Sequence, residues 1–466
     1  MQKLYILVFN GIYRITGKID ERVRNAIVFL SCLLLTAIYF FWTGSLDASP
    51  GEIMIKGSVI TAVLTVFSIK GPMVKVPKNY LTYYTMVLFG IGILLIGQLH
   101  KVGDGYVMYA LDLVFLFPAL YFIWNSRGDH DTLYKMIAAG ILLAGIISFM
   151  YCFYLASKGE LVIEYGRVTA YKRNANFLGM MGVVVVIGST YLLLLLNQNW
   201  LTVLISSAGI GIGLTYILLS VARTAMLTVL GCGIVGFVFL FKMIRCGSMR
   251  KSRAILLIAV IILTASVTTY FGTELDDIHY NAFNARSSVE ETAEQPAAGS
   301  TSSVQQDTPA ESEELYTITE RLNTSGEINS YSSGRINIWR IYAENITPWG
   351  MPLSNISEEL SGASERRAHN NILEYCYRCG YLVGSLYILF YIATAVIGMK
   401  MLFSGKYKRP KDAFLVMVIG TYSVYAMLEI STLPFMRVLP CLFFLTIAPL
   451  MEKADTYLGN NEQDEQ

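Results

Sequence analysis

The sequence predicts an all-α, polytopic membrane protein, and three observations support this fold class. The chain has 466 residues, of which 54% are hydrophobic and only 15% are charged, a composition far from that of soluble domains. Several apolar runs, such as AIVFLSCLLLTAIYFFW and FLGMMGVVVVIGSTYLLLLL, approach the roughly 20 residues that a helix needs to cross about 30 Å of hydrocarbon. These runs are too long and continuous for the strands of a membrane barrel, so we expect helical spans.

The apolar runs predict about twelve spans. Their approximate bounds are 25–43, 53–69, 81–99, 106–124, 133–156, 176–196, 200–220, 224–242, 254–271, 379–400, 413–430 and 435–451. The short basic loops all fall on one side of this arrangement, which by the positive-inside rule is the cytoplasmic side and holds both termini. The predicted regions are therefore spans 1 to 9 in 1–271, an extracytoplasmic loop in 272–378, spans 10 to 12 in 379–451 and a cytoplasmic tail in 452–466.

The long loop of residues 272–378 divides into two parts by composition. Residues from about 285 to 315 are rich in Ser, Glu, Gln, Pro and Ala, and we expect them to be disordered because they bury too little apolar area to offset chain entropy. Residues from about 330 to 378 regain Trp, Ile and Tyr and are expected to fold. Arg335 and Trp339 lie four residues apart, on one face of a predicted helix.

The predicted outer face carries more basic residues than the positive-inside rule leads one to expect. They are Arg167, Lys172, Arg173, Arg223, Arg335, Arg340, Arg366, Arg367 and His369. Arg223 lies between two spans with almost no loop, where a guanidinium group needs an anionic partner or must snorkel. Because guanidinium groups bind phosphate bidentately and stay charged, such a cluster suits a phosphate or diphosphate head group.

A diphosphate that departs as a leaving group needs cations to stabilise the charge that develops on it. A sugar hydroxyl that attacks needs a proton acceptor, and histidine is the natural residue type. His369 is the candidate, because it is one of four histidines and lies in the polar stretch ERRAHNNILEY. Plainer interpretations stay open: Arg223 as a snorkelling residue, Arg335 as a surface helix residue, and His369 with Asn370 as a helix start capped by the asparagine.

The motifs NANFLG, LLSVARTAML, GRINIW and AHNNILEYCYRCGYLVG follow one another with spans and a large outer loop between them. In this order they resemble the O-antigen ligase and O-antigen polymerase superfamily of bacterial membrane glycosyltransferases, over roughly residues 160–400. The resemblance implies a GT-C-like architecture with catalytic Arg223, Arg335 and His369. The arginines would engage the polyprenyl diphosphate of the donor, and the histidine would assist the acceptor hydroxyl. One departure is Ala222, where relatives commonly carry Ser or Thr.

The implied function is polymerisation of polyprenyl-diphosphate-linked repeat units at the outer face of the bacterial cytoplasmic membrane, for capsule, exopolysaccharide or O-antigen. Ligation of the glycan to a lipid, wall or protein acceptor is the first alternative, because ligases share these motifs. A flippase is the second, disfavoured because no clear internal repeat is visible. The implied partners are the lipid-linked donor, a glycan acceptor, membrane lipid, a chain-length regulator and a flippase. The predicted substrate-binding residues are Arg167, Arg173, Asn370, Trp339 and Arg366.

No cofactor, metal or nucleic acid is expected, the last because the net charge is only +2 and no basic stripe is present. Cys376 and Cys379 lack the second pair of a zinc site. Asp276, Asp277 and His279 are kept as an alternative divalent-metal site. Two acidic residues within or at the end of spans are suspected of a functional role, although the sequence names no partner for either: Asp112 and Glu429.

Overall fold

The computed structural model describes residues 2–42, 49–69, 71–72, 81–100, 104–127, 130–164, 167–172, 174–195, 199–293, 335–352, 367–430 and 432–449. Helices form nearly all of this part of the chain. They are α1 Gln2–Thr16, α2 Glu21–Ala37, α3 Pro50–Phe67, α4 Leu81–His100, α5 Asp104–Leu111, α6 Phe117–Arg127, α7 His130–Ser157, α8 Ala175–Leu194, α9 Trp200–Ser220, α10 Arg223–Arg245, α11 Lys251–Ala293, α12 Arg335–Glu344, α13 Asn371–Phe403, α14 Pro410–Leu428 and α15 Val438–Thr446.

Short irregular elements complete the bundle. A π-helical turn, Ile38–Trp42, continues α2, and another, Asp112–Leu116, joins α5 to α6. Strands β1 Val162–Glu164 and β2 Arg167–Ala170 form an antiparallel hairpin between α7 and α8. The hairpin packs against α8 and α9, which places Arg167 next to these two helices.

Ten helices in the described part of the chain are long and apolar enough to cross a membrane. This confirms the prediction of an all-α, multi-pass membrane protein. Helix α8 lies at the centre of the bundle, with nearly all of its residues buried. It approaches α9 closely because Gly182 and Gly213 face each other, and a Cβ on either would overlap the carbonyl oxygen of the other.

Helix α11 differs from the prediction, which ends the ninth span at residue 271 and begins the disordered insert near 285. The helix continues to Ala293. Extending an existing helix adds one hydrogen bond per residue without a new nucleation step, and the sequence ARSSVEETA contains good helix formers. The rest of the predicted insert lies outside the described residues.

Helix α13 also differs from the prediction, because it begins at Asn371 rather than near residue 379. Gly380, with φ 80° and ψ 157°, breaks it into a short first part and a membrane-length second part. The chain around Gly350 is bound to this break. The backbone N–H of Met351 donates to the carbonyl of Tyr377 over 2.8 Å, and the N–H of Tyr381 donates to a carbonyl in the same turn, that of Thr347, over 3.0 Å.

Helix α12 packs on the first part of α13 through a small core of its own. Ile338 and Tyr342 are buried against Ala368 and Tyr377. The rings of Tyr342 and Tyr377 meet edge to face, with centroids 5.1 Å apart. This packing fixes the position of Arg335, the first residue of α12, relative to His369, two residues before α13.

Candidate functional site

The candidate site is built around the carboxylate of Glu429, a buried residue that directly follows α14. Its Oε1 accepts a hydrogen bond of 2.6 Å from Nη2 of Arg335. Its Oε2 lies 3.3 Å from Nδ1 of His369. Arg335 also donates through Nη1 to the carbonyl of Leu428. One carboxylate therefore joins Arg335 and His369, two of the three predicted catalytic residues.

A second arginine reaches Glu429 through an asparagine in the first turn of α8. Asn176 Nδ2 donates to Glu429 Oε1 over 3.2 Å, and Arg167 Nη2 donates to Asn176 Oδ1 over 2.8 Å. Arg167 also donates through Nε to the carbonyl of Ser220 over 2.7 Å. Asn174, in the NANFLG motif, caps α8 by accepting from the N–H of Asn176. Arg167 is thus tied to the same carboxylate, with one side chain between them.

The backbone of His369 adopts φ 48°, a left-handed conformation that non-glycine residues seldom take and that is common at functional sites. Asn370 follows as the N-cap of α13, and its Oδ1 accepts from the N–H groups of Ile372 and Leu373 at 2.9 and 3.2 Å. Its Nδ2 donates to the carbonyl of Met427 over 3.2 Å. The structure confirms the capping interpretation of Asn370, and its predicted role in substrate binding stays a prediction.

A second buried carboxylate, Glu374, holds the residues in front of His369. The N–H of Ala368 donates to Glu374 Oε2 over 3.3 Å, and Arg367 Nη1 donates to Oε1 over 3.5 Å. Arg378 Nε forms an ion pair with the same Oε1 at 2.7 Å. This carboxylate therefore keeps Ala368 and Arg367 in place and supports the left-handed conformation at His369.

Arg223 is the half-buried first residue of α10 and borders the cluster. Ser220, three residues earlier, is the residue whose carbonyl binds Arg167. Ala222 packs on Gly179 of α8, where a Cβ would overlap its methyl group. Because Ala222 has no hydroxyl, α10 begins without a side-chain cap, which is the structural consequence of the departure noted in the motif.

The structure says little about the roles of three further predicted substrate-binding residues, Trp339, Arg173 and Arg366. Trp339 lies one helical turn after Arg335, and its indole Nε1 is buried without a hydrogen-bond partner in the described part of the chain. Arg173 and Arg366 lie outside the described residues, so their roles stay predictions.

The remaining suspects lie away from Glu429. Asp112 is buried among the spans, where its Oδ2 accepts a hydrogen bond of 2.8 Å from the hydroxyl of Ser58. Cys376 and Cys379 are buried free thiols. No cluster of three His, Cys, Asp or Glu residues suited to a metal ion occurs among the residues that were described. The side chain of Asp276 is outside that set, so the alternative metal site stays a prediction.

The neighbours of Glu429 determine its ionisation. Burial by itself raises the pKa of this carboxyl, but the hydrogen bond with His369 and the positive charge of Arg335 outweigh burial and lower the pKa below its ordinary value of 4.5. The carboxyl group therefore stays ionised at neutral pH, as an acceptor for both neighbours.

This shift makes a stability prediction. Because the pKa is lower in the folded than in the unfolded protein, the stabilisation is present above about pH 4.5 and is lost as the pH falls through the folded-state pKa. We expect the difference in melting temperature between wild type and Glu429→Gln to shrink below pH 4.5, as measured on the detergent-solubilised proteins. A difference that stays constant down to acidic pH contradicts the predicted ionisation of Glu429.

Sequence reasoning missed the partners of the predicted residues. The sequence marks Glu429 only as an acid at the end of a span, and its two main partners precede it by 94 and 60 residues. Asn176 stands out in the sequence only as part of the NANFLG motif. The sequence carries one signal for Arg437, which is a lone arginine in the apolar stretch LPFMRVLP, within the predicted span 435–451.

The fold and the site together define a class: a multi-pass helical membrane protein in which one end of the bundle holds a buried carboxylate bound to an arginine and next to a histidine. Comparisons with known proteins do not narrow this class. No protein-family model matches the chain, and no curated protein sequence is significantly similar to it.

Proposed function

We propose that the protein is a membrane glycosyltransferase that polymerises polyprenyl-diphosphate-linked oligosaccharide repeat units at the outer face of the bacterial cytoplasmic membrane. The observation that carries the proposal is the bridge formed by Glu429 between Arg335 and His369. These two residues were selected by residue chemistry and by the resemblance to O-antigen ligases and polymerases. That they share one buried carboxylate supports a joint role.

The geometry suggests how His369 acts. With its proton on Nδ1, the ring donates to Glu429 Oε2, and Nε2 is left as the proton acceptor. About a third of the side chain, 35%, is exposed, whereas only 6% of Glu429 is. The imidazole is therefore open to a substrate while its supporting carboxylate is not. In the proposed reaction the acceptor hydroxyl oxygen bonds to the anomeric carbon of the donor, and the hydroxyl proton passes to Nε2.

The leaving group is the diphosphate, which departs with the electron pair of the broken carbon–oxygen bond. Arg335 lies beside His369 and Arg223 borders the same end of the bundle, so both are proposed to stabilise the charge that develops on the diphosphate. No general acid is required, because a diphosphate is a good leaving group.

The finer architecture is also part of the proposal. About twelve spans in a GT-C-like arrangement, with cytoplasmic termini, place the ends of α9 and α14 and the starts of α8, α10 and α13 on the outer side. The site would then face the compartment in which lipid-linked glycans are polymerised. The positive-inside distribution of the short loops supports this orientation.

The test is a reaction of purified protein in lipid nanodiscs with a lipid-linked repeat unit isolated from the producing cell. Glycan chains of many repeats are expected; a single transfer to another acceptor indicates the ligase alternative, and movement across a vesicle bilayer without any new bond indicates a flippase. His369→Ala is expected to lower the rate about 100- to 10,000-fold. Arg335→Ala and Arg223→Ala should each lower it about 100-fold or more.

The matched control is Arg340→Ala, which removes an exposed arginine of α12 whose side chain lies 3.9 Å from Glu344. Its activity should equal that of wild type, because surface ion pairs contribute little. Full activity in two of the three site variants contradicts the proposed site, and the absence of product with every acceptor contradicts the enzyme itself.

A further inference from the structure

The chain between α14 and α15, from Glu429 to Arg437, is irregular yet mostly buried. We call it the link segment; Ser431 lies outside the described residues. Backbone groups that leave a helix within a membrane protein must find partners inside the protein. Here the hydroxyl of Tyr375 donates to the carbonyl of Thr432 over 2.7 Å, and that of Tyr39 donates to the carbonyl of Pro434 over 2.6 Å.

These hydrogen bonds fix the middle of the link segment. Its first residue, Glu429, lies at the centre of the candidate site. Its last residue, Arg437, stacks on the ring of Phe177, with the guanidinium carbon 3.9 Å from the ring centroid. Phe177 directly follows Asn176, which binds Glu429. Arg437 is therefore held next to the site both by the link segment, which begins at Glu429, and by the ring of Phe177.

Arg437 differs from Arg335 in its hydrogen bonding. Arg335 binds Glu429 and the carbonyl of Leu428. The guanidinium group of Arg437 donates no hydrogen bond within the described part of the chain, although it is only partly exposed. Glu429 attracts it electrostatically and Arg367 repels it. A largely desolvated guanidinium with unused N–H groups is costly unless an anion completes its surroundings.

We propose that Arg437 binds a phosphate group of the polyprenyl-diphosphate donor. This inference rests on the proposed function and names a contact with the substrate that the motifs do not include. The planar guanidinium offers a fork of N–H groups suited to bidentate phosphate binding. The ring of Phe177 keeps this fork in one orientation, so little conformational freedom is lost when the phosphate binds.

The experiment measures binding of undecaprenyl diphosphate to the purified full-length protein by microscale thermophoresis. Undecaprenol and phosphatidylglycerol serve as a neutral and an ordinary phospholipid probe. We expect Arg437→Gln to raise the Kd for undecaprenyl diphosphate about 10- to 100-fold. Arg437→Lys keeps the charge but not the fork and should fall between wild type and Arg437→Gln. Phe177→Leu keeps the bulk but not the ring, and it should also weaken binding.

The control variant Arg340→Gln should leave the Kd unchanged, and the melting temperature of each variant establishes that it is folded. If Arg437→Gln does not fold, Arg437→Lys and Phe177→Leu decide the question. Unchanged affinity in the folded Arg437 variants overturns this inference and leaves the proposed function standing. Equal affinity of wild type for phosphatidylglycerol also overturns it, because the arginine then binds ordinary lipid. If wild type binds no undecaprenyl diphosphate at all, the proposed function fails.

Discussion

Glu429→Gln is expected to lower the rate of glycan polymerisation about 100- to 1,000-fold, although the change only replaces one carboxylate oxygen by an NH2 group. A neutral amide has one acceptor oxygen, whereas the carboxylate serves Arg335 through one oxygen and His369 through the other. The amide can no longer orient the imidazole and match the charge of Arg335 at once. Turnover in nanodiscs with a lipid-linked repeat unit measures the effect.

The same substitution should also lower the free energy of unfolding by about 2–4 kcal/mol, because it leaves Arg335 partly buried without a counter-charge. The matched control is Glu344→Gln on α12, where the carboxylate is 65% exposed and its arginine partner 70%. That change should alter neither rate nor stability. Wild-type turnover in Glu429→Gln shows that the bridge between Arg335 and His369 is not needed for the reaction.

Gly380→Ala is expected to destabilise the protein by at least about 3 kcal/mol. The backbone there has φ 80° and ψ 157°, a region that essentially only glycine adopts. A Cβ on Gly380 would also overlap the carbonyl oxygen of Pro348, which is backbone and cannot turn away. The turn around Gly350 must then separate from the break in α13, and the melting temperature of the purified protein should fall.

Gly350→Ala should act in the same way, because its own Cβ would overlap the carbonyl of Arg378 and its φ is 82°. Gly420→Ala is the control, since a Cβ there meets nothing within 4 Å and alanine is the better helix former. Hydrogen exchange of residues 345–352 provides a second reading, with faster exchange expected when the turn is released. Slow exchange together with an unchanged melting temperature in Gly380→Ala contradicts the proposed dependence of the turn at Gly350 on the break at Gly380.

Local sequence patterns indicate two members of the candidate site, His369 and Arg335. Histidine in a polar stretch before a span and arginine at the start of an amphipathic segment are local patterns, and the structure joins His369 and Arg335 through one carboxylate. For Asn370 the capping interpretation is confirmed, whereas its predicted role in substrate binding stays a prediction. Both interpretations rest on the same residue types, so the sequence alone does not show the capping hydrogen bonds.

The membrane class follows from the sequence alone, because the length and polarity of each span depend on neighbouring residues and on the thickness of the hydrocarbon layer. The partners of the charged residues do not follow from it. Glu429 contacts Arg335 and His369 because α12, α13 and α14 pack together, with the turn at Gly350 bound to the break at Gly380 and with a buried link segment after α14. Such contacts join residues far apart in the chain, and no local pattern encodes them. The tertiary structure therefore decided which carboxylate lies next to the histidine and which arginine, Arg437, donates no hydrogen bond to any of the described residues.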